Sequence, residues 1–201
     1  MRKTFFLSAL LLAMASGVSA QSITDRMLQN QQNNQTSGVR HIIGLSVGPS
    51  FVTSKMYYAP HDYSSWRPGV ELTADYNCVW SSGIGFGLTY AHNMTNYKHD
   101  IHTTQDYVGP SLVYRSQNDK KWQWKAQAGI GYGHLGGDAD SQGGFAFQSA
   151  VGVEYRFSKH VGVGIDLNAI NTYMKDDEYT SDNEQNGVAR ITLNTGIRIY
   201  L

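Results

Sequence analysis

From residue 40 to the end, the chain alternates apolar residues with small or polar ones at a period of two. This is the period of a β-strand, whose successive side chains point to opposite faces. Ile43, Leu45, Val47, Pro49 and Phe51 share one phase, and Gly44, Ser46, Gly48 and Ser50 share the other. The pattern returns from Val70 to Cys78, Ile84 to Tyr90, Val108 to Tyr114 and Trp122 to Tyr132. It recurs from Phe145 to Phe157, Val161 to Ala169 and Ala189 to Leu201, making eight segments. With their flanks they are about 11 to 14 residues long, enough for a bilayer crossing by about 9–11 tilted residues. Long connections are expected near 53–67, 93–104, 135–143 and 172–187, with tight turns near 79–83, 116–121 and 158–160. The expected fold is all-β: an eight-stranded antiparallel up-and-down transmembrane β-barrel with long extracellular loops and short periplasmic turns.

Alternation alone fits a soluble barrel equally well, one that hides its apolar face inside in the manner of a lipocalin. The small phase separates the two. It carries Gly44, Gly48, Gly85, Gly87, Gly109, Gly129, Gly131, Gly133, Gly152, Gly162 and Gly164. Glycine weakens a strand and packs nothing, so it belongs where space is short, inside a narrow closed barrel. The apolar phase carries aromatics toward its ends. Tyr76, Trp80, Tyr114, Trp122, Trp124, Tyr155 and Phe157 fall toward the tight-turn rim, and Phe51, Tyr90, Tyr132 and Phe145 toward the other. Two aromatic girdles around an apolar band are the signature of two lipid–water interfaces. The apolar phase is therefore expected to meet lipid.

Composition narrows the function. Sixteen basic and sixteen acidic residues give no electrostatic case for nucleic acid. One cysteine, Cys78, allows neither an internal disulfide nor a cysteine metal cage. Aromatic and β-branched content is too high for disorder. Residues 1–20 read as a secretory signal: Arg2 and Lys3, an apolar run from Phe5 to Ala15, then Val18-Ser19-Ala20 as a cleavage site. Residues 21–39, with the run 29–35 of glutamine and asparagine, read as a flexible periplasmic lead-in, leaving the barrel at 40–201.

Over residues 40–201 the chain resembles the small eight-stranded outer-membrane barrels of the OmpX and OmpA transmembrane type, within the outer membrane protein β-barrel domain group. The resemblance is expected to be closer to the OmpX type than to full-length OmpA, with no peptidoglycan-binding domain expected after the barrel. Gly196-Ile197-Arg198-Ile199-Tyr200-Leu201 is similar to the terminal strand signal that the barrel-assembly machinery reads, with leucine where that signal ends in phenylalanine. The resemblance implies residence in the cell outer membrane, beside lipid and lipopolysaccharide.

The interior phase carries Glu71, Asp75, Glu154 and Asp166 with Arg115, Lys125, Arg156, Arg190 and Arg198. A barrel of eight strands is only wide enough for side chains to fill, and buried charges must pair. A salt-bridge plug is the expectation, against the alternative of a narrow charge-lined pore for ions or small solutes. No catalytic, cofactor or metal site is expected. Ser149 with His92 or His134 is the closest approach to a hydrolase set. Hairpin arithmetic puts Ser149 opposite about Ile130, some four residues from His134 and out of reach at about 3.3 Å per residue. His92, His99, Asp100 and His102 read as solvated loop residues, as do Asp176, Asp177, Glu178, Asp182 and Glu184. The run 136–144 reads as a glycine-rich hairpin tip. Tyr57, Tyr58, Tyr63 and Trp66 in the first long connection are the candidates for contact with a surface protein or glycan. The expected role is non-catalytic: support of the envelope, with surface loops for adhesion or recognition. A secreted ligand-binding barrel is the more distant alternative.

Overall fold

The computed structural model describes residues 38–53, 56–58, 61–63, 67–96, 102–116, 121–137, 141–174 and 187–201. The expected signal and nearly all of the lead-in lie outside these residues. Among the described residues ten strands form: β1 (Arg40–Val52), β2 (Met56–Tyr58), β3 (His61–Tyr63), β4 (Arg67–Val79) and β5 (Ile84–Asn96), then β6 (His102–Arg115), β7 (Trp122–Gly137), β8 (Gln142–Arg156), β9 (Val161–Met174) and β10 (Gly187–Tyr200). Eight of them close into an antiparallel barrel in the order β1-β10-β9-β8-β7-β6-β5-β4, while β2 and β3 make a small separate hairpin between β1 and β4.

Closure depends on β1, which pairs with β4 along one side (Gly44↔Asp75, Gly48↔Glu71) and with β10 along the other (Gly44↔Arg198, Phe51↔Ile191). Pairing β10 back onto β1 leaves the sheet no open edge. Two prolines interrupt the ladder without shifting it. Pairing of β1 with β10 skips Gly48-Pro49, and pairing of β6 with β7 skips Gly109-Pro110, because proline has no N–H to donate. The other side of each strand stays paired, Pro49 with Val70 and Pro110 with Leu88. The turn 80–83 closes with Gly83 N–H donating to the Trp80 carbonyl, and Gly83 sits at φ 86°, a conformation glycine adopts without strain.

On the opposite rim the strands run further than the apolar alternation indicated. The ladder continues through polar residues to Asn96↔His102 between β5 and β6, and to Leu135↔Gln142 between β7 and β8. The connections expected at 93–104 and 135–143 thus contract to 97–101 and 138–141, and most of the glycine-rich run 136–144 belongs to strands. Backbone pairing needs no apolar side chains, so it outlasts the pattern that reveals it.

The glycine phase does face inward. Tyr107 lays its phenol over Gly109 and Gly129, where an added β-carbon would stand 2.6 and 2.9 Å from its oxygen. A β-carbon on Gly131 would lie 2.2 Å from the Val108 carbonyl oxygen. Gly131→Ala should therefore cost about 1–3 kcal/mol in a urea refolding titration. Gly136→Ala, whose β-carbon meets nothing nearer than Thr104 Oγ1 at 3.2 Å, should stay within about 0.5 kcal/mol of the parent.

Candidate functional site

The lumen holds polar layers between apolar stoppers. Val52, Leu135 and Val188, with Met174 against them, close the rim of the long connections; Ile42, Val79 and Tyr200 close the other. Ala91, Tyr107, Ala146 and Ile170 form a further apolar cluster inside. Between them, two groups of charges are buried.

Glu71 on β4 faces Arg190 on β10, Oε2 to Nε at 2.7 Å, with both side chains wholly buried. The N–H does not point along that line, so the contact is an ion pair and not a directed hydrogen bond. Glu71 Oε1 accepts from Thr73 Oγ1, Asn168 Nδ2 and Asn194 Nδ2 at 3.1, 3.0 and 3.0 Å, and Arg190 Nη1 donates to the Gln105 carbonyl at 3.0 Å. One carboxylate thus ties β4 to β9 and β10, and its arginine reaches β6.

The second group lies toward the tight-turn rim. Glu154 on β8 accepts from Arg115 Nη1, from Arg198 Nε at 3.1 Å and from the Tyr200 hydroxyl at 3.0 Å. Arg198 Nη2 also bonds Asp166 Oδ2, which receives Lys125 Nζ at 3.3 Å. Lys125 lies 3.9 Å from Asp75 Oδ1, and Asp75 accepts from Asn77 Nδ2. Six strands are stapled across the lumen, from β4 and β6 through β7, β8, β9 and β10. Over both groups four acids (Glu71, Asp75, Glu154, Asp166) meet four bases (Arg115, Lys125, Arg190, Arg198), so the interior is neutral. Asp75, Lys125, Asp166 and Asn194 help line a cavity of about 10 Å³, space for roughly one water.

Eight of the nine charges assigned to the interior from sequence come together; Arg156 does not. It stands half-buried at the mouth, its guanidinium 4.6 Å from the centre of the Tyr200 ring and its Nη2 donating to the Lys159 carbonyl at 3.0 Å. Strand phase predicted an inward side chain, but this position lies at the last residue of β8, where the lumen opens.

All eleven girdle aromatics face outward. Trp122, Trp124 and Phe157 are among the most exposed residues, while Tyr114 and Tyr155 are half-buried among their neighbours. Tyr155 makes edge contacts with Trp122 at 4.9 Å and with Phe157 at 5.3 Å. Between the girdles Leu45, Phe86, Leu112, Ile130, Ile165 and Ile197 stand exposed around the barrel.

Ser149 pairs with Ala128, not Ile130, and so stands further from His134 than expected. His92 is not a loop residue. It lies in β5 with its Nδ1 2.8 Å from Asp106 Oδ1, and Asp106 also accepts from the Tyr90 hydroxyl at 2.8 Å. His134 on the next strand pairs with Ser141 Oγ at 2.8 Å. Sequence reading missed Asp106 because its partner sits 14 residues away, across a hairpin. No three histidine, cysteine or acidic side chains among the described residues are placed to hold a metal. Tyr57, Tyr58 and Tyr63 fall in the β2–β3 hairpin, while Trp66, His99, Asp100 and the acidic residues 176–184 lie outside the described residues.

A closed eight-stranded barrel with a charged, side-chain-filled interior and an apolar exterior defines a class of small outer-membrane barrels. The family profile of the outer membrane protein beta-barrel domain matches residues 8–191, and the chain belongs to that family. Among solved structures it is similar to Neisserial surface protein A (TM-score 0.60, 12% identity, 82% of this chain and 99% of that one). It is also similar to OprG of Pseudomonas aeruginosa (TM-score 0.48, 12% identity, 82% and 97%) and to the outer membrane enzyme PagL (0.46, 11%, 79% and 98%). No curated protein matches the sequence.

Glu154→Ala, which leaves Arg115 in the lumen without a carboxylate and Arg198 with Asp166 alone, should cost about 3–5 kcal/mol in a refolding titration. Replacing Glu71 and Arg190 together by methionine and leucine should cost clearly less than Glu71→Ala alone.

Proposed function

We propose that the chain spans the outer membrane as a non-catalytic barrel, with its apolar exterior in lipid and its surface connections presented for adhesion or recognition. The observation that carries this reading is the inversion of polarity: charges are sealed inside while leucine, isoleucine and phenylalanine stand exposed on every side. A water-soluble monomer rarely exposes a contiguous apolar patch beyond a few hundred Å². In lipid the same surface costs nothing, and the closed ladder leaves no strand edge unpaired. The two girdles then sit at the two interfaces, beside lipopolysaccharide on one side and phospholipid on the other. Export through a cleaved signal and insertion by the barrel-assembly machinery belong to the same reading.

The sealed lumen favours support and display over conduction. Buried apolar clusters at both rims and a balanced charge network across the lumen support that reading. The connection between β1 and β4 offers the contact surface, since its hairpin carries Tyr57, Tyr58 and Tyr63 just before Trp66. Aromatic side chains are enriched where proteins bind partners.

Leu112→Arg places a charge in the apolar band and should cost about 2–4 kcal/mol on refolding into lipid vesicles. A neutral result would remove the band from the bilayer. In planar bilayers the parent should give no stable single-channel steps. Steps that change in Glu154→Ala or Arg156→Ala would instead establish the pore.

A further inference from the structure

The charges outside the lumen are not spread evenly along the barrel axis. At the tight-turn rim stand Arg40 at the start of β1, Lys121 before β7, Arg156 at the end of β8 and Lys159 in the following turn. Among the described residues none of these four has a carboxylate partner, and no acidic side chain stands outside the lumen at this rim. Residues 117–120, outside the described set, add by sequence one acid, Asp119, and one base, Lys120. The connection between β9 and β10 is acidic by sequence: 175–186 carries Asp176, Asp177, Glu178, Asp182 and Glu184 against Lys175.

The bases adjoin one another. The Arg156 N–H donates to the Lys121 carbonyl at 2.8 Å, and the Arg156 side chain donates to the Lys159 carbonyl at 3.0 Å. Packing over Tyr200 fixes that guanidinium in place. Immediately beside this arc are Trp122, Trp124 and Phe157, all strongly exposed, with Trp80 further along the rim. Aromatics that seek an interface and cations held at the same depth are the chemistry that recognises anionic headgroups.

We propose that the tight-turn rim binds anionic phospholipid headgroups of the adjoining leaflet through Lys121, Arg156 and Lys159, with the tryptophan side chains seated among the same lipids. This rests on the membrane-spanning reading and adds a lipid preference on one rim. Each lysine or arginine near an anionic surface adds to binding, and the attraction falls away with added salt.

Three of the four tryptophans, Trp80, Trp122 and Trp124, lie at this rim and serve as reporters once Trp66→Phe silences the fourth. The protein is refolded into phosphatidylcholine vesicles containing increasing fractions of either brominated phosphatidylglycerol or brominated phosphatidylcholine, and quenching gives their relative binding constant. In low salt phosphatidylglycerol should win by about three- to fivefold, falling to near one in about 0.5 M salt. The ratio should also fall to near one in Lys121→Gln/Lys159→Gln, whose side chains are exposed, and in the triple variant with Arg156→Gln. Arg67→Gln, at the opposite rim, should keep the full ratio. A parent ratio near one, or a preference that survives in the double and triple variants, overturns the proposal while the spanning reading stands. If neither brominated lipid quenches, the spanning reading fails and the proposal fails with it.

Discussion

Everything in this molecule depends on one closure: β1 is hydrogen-bonded on both sides, to β4 and to β10. A sheet with an open edge would leave a row of N–H and C=O groups unpaired, and in hydrocarbon no water could satisfy them. Closing eight strands satisfies the backbone and fixes the barrel's width at one that side chains fill. The glycines follow from that width. Where Tyr107 crosses the lumen, the strands beneath it have no room for a β-carbon at Gly109 or Gly129.

The narrow lumen in turn dictates the charge balance. A buried ion costs several kcal/mol unless it is paired and hydrogen-bonded, so a lumen filled by side chains must balance its charges. It is, with four carboxylates against four cations, and the one basic side chain left over, Arg156, stands at the mouth. Glu154 and Asp166 each accept from more than one cation, and Arg198 joins them. The network thereby links strands that are not neighbours in the sheet. Buried apolar clusters flank these pairs at both rims.

Fold and phase were legible in the sequence because a strand that separates two solvents prints its alternation in every second residue. Asn168 and Asn194 lie in the inward phase with Asp166 and Arg198, and both reach Glu71. The partners themselves were not legible. Glu71 and Asn194 are 123 residues apart, and only the register of eight strands brings them to 3.0 Å. Strand ends were misjudged where polar residues carry the ladder past the apolar band, as at Asn96 and His102. The same extension turned His92 from a loop residue into the strand partner of Asp106. Arg156 was misplaced because phase alone does not say how far along the strand the lumen continues.

The central claim is that a closed barrel sits in the outer membrane with its apolar face outward. Isolated outer membranes run on a gel boiled and unboiled, and probed for this chain, test it most directly. A species in the membrane fraction whose mobility shifts on heating is the predicted result, because a closed barrel resists detergent until it is melted. A protein found only in the soluble fraction, with no shift on heating, would contradict the account and turn its apolar face from a lipid contact into something else's interface.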